Sequence, residues 1–359
     1  MPSGSCVAPG VTETASPALS VLDLVPVRTG QTSSQAIAAS MTLARRADEL
    51  GYRRYWFAEH HNMPAVASTT PAVLIAAAIG VTERIRVGSG GVMLPNHAPL
   101  IVAEQFAALE AMAPGRVDLG IGRAPGSDQV ISQLLRRSGA TSEVERFPEH
   151  ITDIMSLASP EGATVRFVNG GEYNVHATPA ASGSPDVWLL GSSDYSAQLA
   201  AQLGLPYVFA NHFAGDGLER AMALYRDQFT ASEARPAPRS FVTANVVVAP
   251  TDDEAHERAL PQLRQFARLR SNKPMRPIET IDEVLANPSD ALEQSLIDQN
   301  KQRWFIGTPD AVAGQLREFG AKHQVEEIML GASSGSYENE SPESPAGRAQ
   351  TLELLAAAM

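Results

Sequence analysis

Four short stretches carry residues able to do chemistry. The first is Glu59-His60-His61, a carboxylate and two imidazoles directly after the apolar run Arg54–Ala58. Imidazole exchanges a proton near neutral pH, which suits general acid–base work, and His60 is the candidate catalytic residue. Adjacent residues rarely point at one ion, and no His-Glu-x-x-His or related spacing occurs, so no metal site is expected. A loop or helix-cap histidine is the structural alternative. The second stretch is Val87-Gly88-Ser89-Gly90-Gly91-Val92. Glycines inside a strand mark either a bulge or a flat object lying against the backbone, and a barrel bend alone accounts for them.

The third is Gly120-Ile121-Gly122-Arg123-Ala124-Pro125-Gly126. Its spacing is G-x-G-x-x-x-G and it leads into a loop, so it is not the dinucleotide-binding fingerprint. Arg123 remains a candidate anion ligand, because its planar fork matches phosphate oxygens. The fourth is Gly191-Ser192-Ser193-Asp194-Tyr195-Ser196, between an apolar run and an amphipathic one. Ser193 reads as a helix N-cap, and amides left free in the first turn make a phosphate seat. Capping by itself also explains the serines.

The elements that position these residues follow from the hydrophobic pattern. Apolar runs at 19–25, 54–58, 85–94, 116–122, 187–191, 207–210, 240–249 and 326–331 read as strands, nearly all followed by amphipathic stretches of helical period. Strictly alternating strand and helix implies a parallel sheet with helices outside it, and eight such units predict a closed (β/α)₈ TIM barrel, an α/β fold. Two stretches, about 124–186 and about 271–306, break the repeat after strand positions. They read as insertions at the C-terminal face of the strands, where a barrel carries its active site. Their Phe167, Tyr173, Trp304 and Phe305 suit either an apolar ligand or an insertion core. Residues 1–17, small and Pro/Gly-rich, read as a disordered tail, leaving 18–359 as one barrel domain.

Composition narrows the partners. Of 359 residues, 44% are hydrophobic, ample for a large core, and the net charge is −12. Lys and Arg are scattered, without the basic stripe that neutralising a phosphate backbone demands, so nucleic acid is not an expected partner. No apolar run approaches the ~20 residues that span a bilayer. There is a single cysteine, Cys6, and no signal-like N-terminus, which fits a cytoplasmic protein.

In order along the chain, WFAEHHN, VGSGGVMLPNHAPLIVAEQ, GRVDLGIGR, PDVWLLGSS with SAQLAAQLGLPYVFA, and IGTPDAVAGQL resemble the bacterial luciferase-like flavin monooxygenase family, over almost the whole chain after residue 18. The resemblance is to its single-gene, non-luminescent branch. It implies an enzyme that uses reduced FMN and O₂ to oxidise a small organic substrate. A separate flavin reductase would supply the reduced FMN, and the enzyme would be a homodimer. It also implies roles by position. His60 would assist flavin and oxygen chemistry, and Arg123, Ser192, Ser193, Tyr195 and Ser196 would hold the flavin phosphate. Gly91–Val92 would form a non-prolyl cis peptide behind the ring. Glu104 matches an acidic position of open role. Gly122 stands where the light-emitting enzymes carry a reactive cysteine, so long-chain aldehyde and light emission are not implied. Two alternatives are an F420-dependent hydride-transfer enzyme of the same fold and a flavin-binding protein without turnover.

Overall fold

A computed structural model of the chain describes residues 16–137, 144–180, 183–213 and 215–359. Its frame is eight parallel strands. In chain order the strands are β1 (Ala18–Asp23), β2 (Arg54–Phe57), β3 (Arg86–Met93), β4 (Val117–Gly122), β5 (Ala163–Arg166), β6 (Glu172–Val175), β7 (Asp186–Gly191), β8 (Tyr207–Phe209), β9 (Ser240–Val248), β10 (Phe305–Gly307) and β11 (Glu327–Ala332). The ring runs β1-β2-β3-β4-β7-β8-β9-β11 and closes where Ala18–Val21 pair with Glu327–Leu330. All eight barrel strands fall on the apolar runs that predicted them. Burial explains why these were readable. Strands covered by helices on one side and core on the other are largely apolar, and β2 and β4 are buried at every position, with Arg54 and Asp118 paired to each other.

The surrounding helices are cut to length by local signals. Thr32 caps the helix Ser33–Glu49, with its hydroxyl on the Gln35 amide and the Gln35 side chain returning to the Thr32 amide. The helix Asp252–Arg270 opens with Asp252, Asp253 and Glu254 and ends with Arg268 and Arg270, charges that match its dipole.

Three strands lie outside the eightfold repeat. β5 and β6 form an exposed antiparallel hairpin within the 124–186 insertion, beside the helices Gln129–Arg137 and Phe147–Leu157. β10 pairs in parallel with Val246–Val248, where β9 outruns the barrel. The 271–306 insertion supplies β10 and the helices Ile281–Ala286 and Ala291–Lys301. Its Trp304 and Phe305 take the core reading. Trp304 is buried against Phe266 in an insertion core, and Phe305 packs on Phe319, while Phe167 and Tyr173 stand exposed on the hairpin segment. The expected tail falls on residues 1–15, outside the described residues, apart from Ser16 and Pro17. Ser16 Oγ accepts from Arg317 Nε at 2.9 Å.

The N-terminal end of the barrel is sealed by charge. Arg54 lies between Asp118 (2.7 Å) and Glu327 (2.8 Å), all three buried. Trp56 Nε1 donates to the same Asp118 oxygen at 2.9 Å, and the Trp188 ring lies 4.6 Å from the guanidinium. Burial opposes the charge on Arg54, but its two carboxylates outweigh it and raise its pKa. No helix among the described residues is long and apolar enough to cross a membrane.

Candidate active site

The C-terminal mouth collects the candidate residues. Glu59, the second residue beyond β2, is fully buried and acts as a hub. Its Oε1 accepts from His61 Nε2 and from His97 Nε2, each at 2.8 Å, and its Oε2 accepts from the Met93 amide at 3.0 Å. Burial alone would raise its pKa. The two imidazole bonds, with the Met93 amide, outweigh that and hold the carboxyl down at about 2. Glu59 is therefore an ionised clasp joining the ends of β2 and β3. The β4 loop joins it: the His61 amide donates to Gly126 O at 2.9 Å, and Asn96 Nδ2 to Pro125 O at 2.9 Å.

His60 sits between these clasped neighbours. Its amide is bound to Ser68 O at 3.0 Å, while its buried Nδ1 finds no partner among the described residues. Burial pushes the imidazole pKa below its ordinary value, against the pull of the Glu59 carboxylate. A neutral imidazole with an unspent ring nitrogen can take or relay a proton.

The glycines of β3 carry one correction and bear out the barrel bend. The non-prolyl cis bond lies between Gly90 and Gly91, one residue before the expected Gly91–Val92. The reason is register: between Ser89 and Val92, three steps of β3 face two of β4, and the bulge falls on the glycine pair. The clearance of these glycines is also filled by protein. A Cβ on Gly88 would meet Asp118, one on Gly90 would meet Leu22, and one on Gly91 would lie 2.8 Å from Gly120 O. They let β3 close on its neighbours at the bend; Val92 is buried beside them.

Arg123 and Tyr195 come together across the ends of β4 and β7, the guanidinium carbon 4.1 Å from the ring centroid. Tyr195 is in the first turn of the helix Asp194–Gln202, which starts where the Ser193 cap predicts. Ser193 caps it, accepting from the Ser196 amide at 3.4 Å, while the Ser193 amide donates to Ser196 Oγ at 3.3 Å. Ser192 lies just before the cap, half-buried. Ser196 is turned inward: its hydroxyl bonds the Ser193 carbonyl at 2.7 Å and lies 3.1 Å from Tyr207 Oη. The carboxylate of Asp194 leaves the cap, paired with Arg220 at 2.8 Å. What remains at this corner is an exposed guanidinium over an aromatic ring beside the start of a helix, an arrangement suited to a phosphate dianion. Glu104 is elsewhere, on the outer helix Pro99–Met112, accepting from Thr178 Oγ1 at 3.1 Å.

Two histidines were not singled out from sequence. His97 follows the 3₁₀ turn Leu94–Asn96, and only the fold brings it to Glu59. His212 follows β8 and borders a small cavity of about 60 Å³ at the ends of β1, β9 and β11. Its position just beyond a barrel strand, equivalent to that of His60 beyond β2, was the available signal. Burial first, and the nearby His60 second, push its pKa down to about 4.

The luciferase-like monooxygenase profile matches residues 18–323. A luciferase-like monooxygenase of Escherichia coli (strain K12) is 39% identical over 318 residues, 87% of this chain and 90% of its own. The crystal structure of apo-MsnO8 superposes with a TM-score of 0.81 at 33% identity, covering 96% of this chain and 97% of that one. The oxygenating constituent of 3,6-diketocamphane monooxygenase from Pseudomonas putida, a type II Baeyer–Villiger enzyme in complex with FMN, shares the fold. Its TM-score is 0.68 at 19% identity, over 95% and 97% of the two chains. The chain belongs to the luciferase-like monooxygenase family, and with it to the oxidoreductases.

Proposed function

We propose that this protein is a monooxygenase that oxidises a small organic molecule with reduced FMN and O₂, in the cytoplasm and as a homodimer, drawing its reduced FMN from a separate flavin reductase. The observation that carries the reading is the Arg123–Tyr195 stack beside the Ser193-capped helix start. It offers a delocalised cation, hydroxyls and first-turn backbone amides at one corner of the mouth, and these fit a terminal phosphate.

Reduced FMN, when bound, supplies the electrons that activate dioxygen. The protein's part is to hold, shield and manage protons. Arg123, with Ser192, Ser193 and the amides of Asp194 and Tyr195, holds the phosphate, and the Tyr195 ring backs the guanidinium. Ser196 contributes by fixing the cap. Gly91 and Val92 form the β3 wall of the mouth. His60, neutral at working pH, accepts or returns a proton on its free nitrogen. The clasp at Glu59 keeps that imidazole in place and keeps the loops after β2, β3 and β4 closed against water.

The Gly120–Gly126 spacing lacks a nicotinamide fingerprint, which favours a separate reductase. Val73, Ile101 and Met112 stand exposed on the helices Pro71–Ile79 and Pro99–Met112, an apolar surface that a second copy would cover. The test is anaerobic titration with reduced FMN and with reduced F420, followed by rapid mixing with oxygen. Saturable FMN binding, with an oxygen-dependent transient before oxidised flavin appears, is expected. Preferential F420 binding without reaction with oxygen overturns the reading in favour of hydride transfer. Sustained NADH turnover by the protein alone removes the reductase, and a monomer in sedimentation removes the dimer.

A further inference from the structure

Thr243 holds His212 at two atoms. The His212 amide and Nδ1 lie 3.0 and 2.7 Å from Thr243 Oγ1, and that hydroxyl lies 3.3 Å from the Phe209 carbonyl. A hydroxyl has one proton and two lone pairs. All three bonds form together only when Thr243 donates to Phe209 and accepts from both His212 N–H groups. The ring proton is then on Nδ1, and Nε2 is a bare acceptor. No hydrogen-bond partner of Nε2 occurs among the described residues. Asn245 Nδ2 donates to the His212 carbonyl at 2.9 Å, so both ends of the residue are pinned.

The cavity that His212 borders is walled by apolar side chains, among them Leu22, Leu24 and Phe266, and by the neutral polar Asn245, Gln262 and Ser333. Its charged lining groups are Asp23 and Arg348, which pair with each other at 2.6 Å. A ligand there meets no uncompensated charge.

We propose that His212 is a substrate-facing acceptor: its Nε2 receives an N–H or O–H from a neutral organic molecule whose apolar body lies against Leu22, Leu24 and Phe266. The inference rests on reading the mouth as an oxidation site. His60, at the end of β2, then serves the oxygen chemistry, while His212, at the end of β8, orients the molecule to be oxidised. The depressed pKa agrees with this, since a neutral imidazole keeps Nε2 free to accept at neutral pH.

The test uses full-length protein labelled with ¹⁵N at histidine. At neutral pH, His212 is expected to show a protonated Nδ1 and an unprotonated Nε2, in wild type and in Thr243→Ser but not in Thr243→Val. The probes are N-methylbutanamide and methyl butanoate, the ester that replaces only the N–H. The amide is expected to shift the Nε2 resonance saturably and to bind about five- to ten-fold more tightly, the worth of one hydrogen bond. His212→Phe is expected to erase that preference while keeping a cooperative thermal transition. A protonated Nε2 in wild type, or equal responses to both probes (no response included), overturns the proposal. An FMN titration on the same samples separates the two readings. Amide preference without FMN binding retires the flavin reading alone; FMN binding without amide preference retires this one alone.

Discussion

The guanidinium of Arg123 lies over the ring of Tyr195 at 4.1 Å, joining the end of β4 to the first turn of the helix after β7. On the proposed reading, two residues far apart in the chain thus build one anion seat. Arg123→Ala is expected to weaken FMN binding by about 10- to 100-fold, the worth of a charge-assisted phosphate contact. Riboflavin, which lacks the phosphate, should bind wild type and variant alike. Fluorescence titration with both flavins checks this, and an equal loss for riboflavin would move the phosphate elsewhere.

His60→Ala should cost about 10²- to 10⁴-fold in turnover of any substrate the wild type oxidises, as expected for a lost proton carrier. FMN affinity should stay largely intact. Because burial holds the His60 pKa below its ordinary 6.5, the neutral form persists below that pH. The acid limb of the wild-type rate profile should therefore lie below pH 6.5. Full activity in the variant would remove His60 from the chemistry.

Glu59 links the site to stability. Its folded pKa is about 2 against an ordinary 4.5, so the unfolded chain takes the proton first as pH falls. The contribution, about 3 kcal/mol, is present above pH 4.5 and lost as pH drops towards 2. Glu59→Gln should be less stable at neutral pH and show a flatter acid slope across that window. Urea melts at stepped pH measure both, and parallel slopes for the two proteins would contradict the assignment.

Arg54→Met should be among the most damaging changes away from the mouth. It takes the buried cation from Glu327, which keeps only Ser20 and the half-exposed Arg53, and one of two cations from Asp118, which keeps Arg86 at 2.6 Å. Breaking a buried ion network in this way costs about 3–5 kcal/mol. Denaturation midpoints measure the loss, and one below about 1 kcal/mol would mean the carboxylates simply protonate.

Gly91→Ala tests the bulge. The added methyl would lie 2.8 Å from Gly120 O, a backbone atom that cannot rotate away, so β3 and β4 must part. A loss of about 1–3 kcal/mol is expected, with weaker FMN binding. Gly314→Ala is the control: it faces open space inside the helix Pro309–His323 and should gain about 0.5–1 kcal/mol. Equal melting of the two variants would contradict the packing described at Gly91.

The eight barrel strands were readable because burial on both sides makes them predominantly apolar. β10 was not: it has three residues and pairs only with the overhang of β9. The β5–β6 hairpin escaped because its residues are mostly exposed and carry no alternation of burial. In the site, His60 and Arg123 announced themselves by ending strands. His97 and His212 depend on partners 38 and 31 residues away, Glu59 and Thr243, and no local pattern encodes such a meeting. The cis bond was displaced by one residue because motif position does not say which of two adjacent glycines absorbs a bulge.

The charged plug at Arg54 also sets the direction of traffic. With Asp118, Glu327 and the Trp56 and Trp188 rings packed around it, the floor of the barrel is closed by these side chains. On the proposed reading, flavin, oxygen, substrate and product all use the opposite, C-terminal rim, so a guest seated near the rim obstructs a guest seated deeper. Order of arrival is then a property of the architecture: whichever ligand reaches furthest in has to come first and leave last.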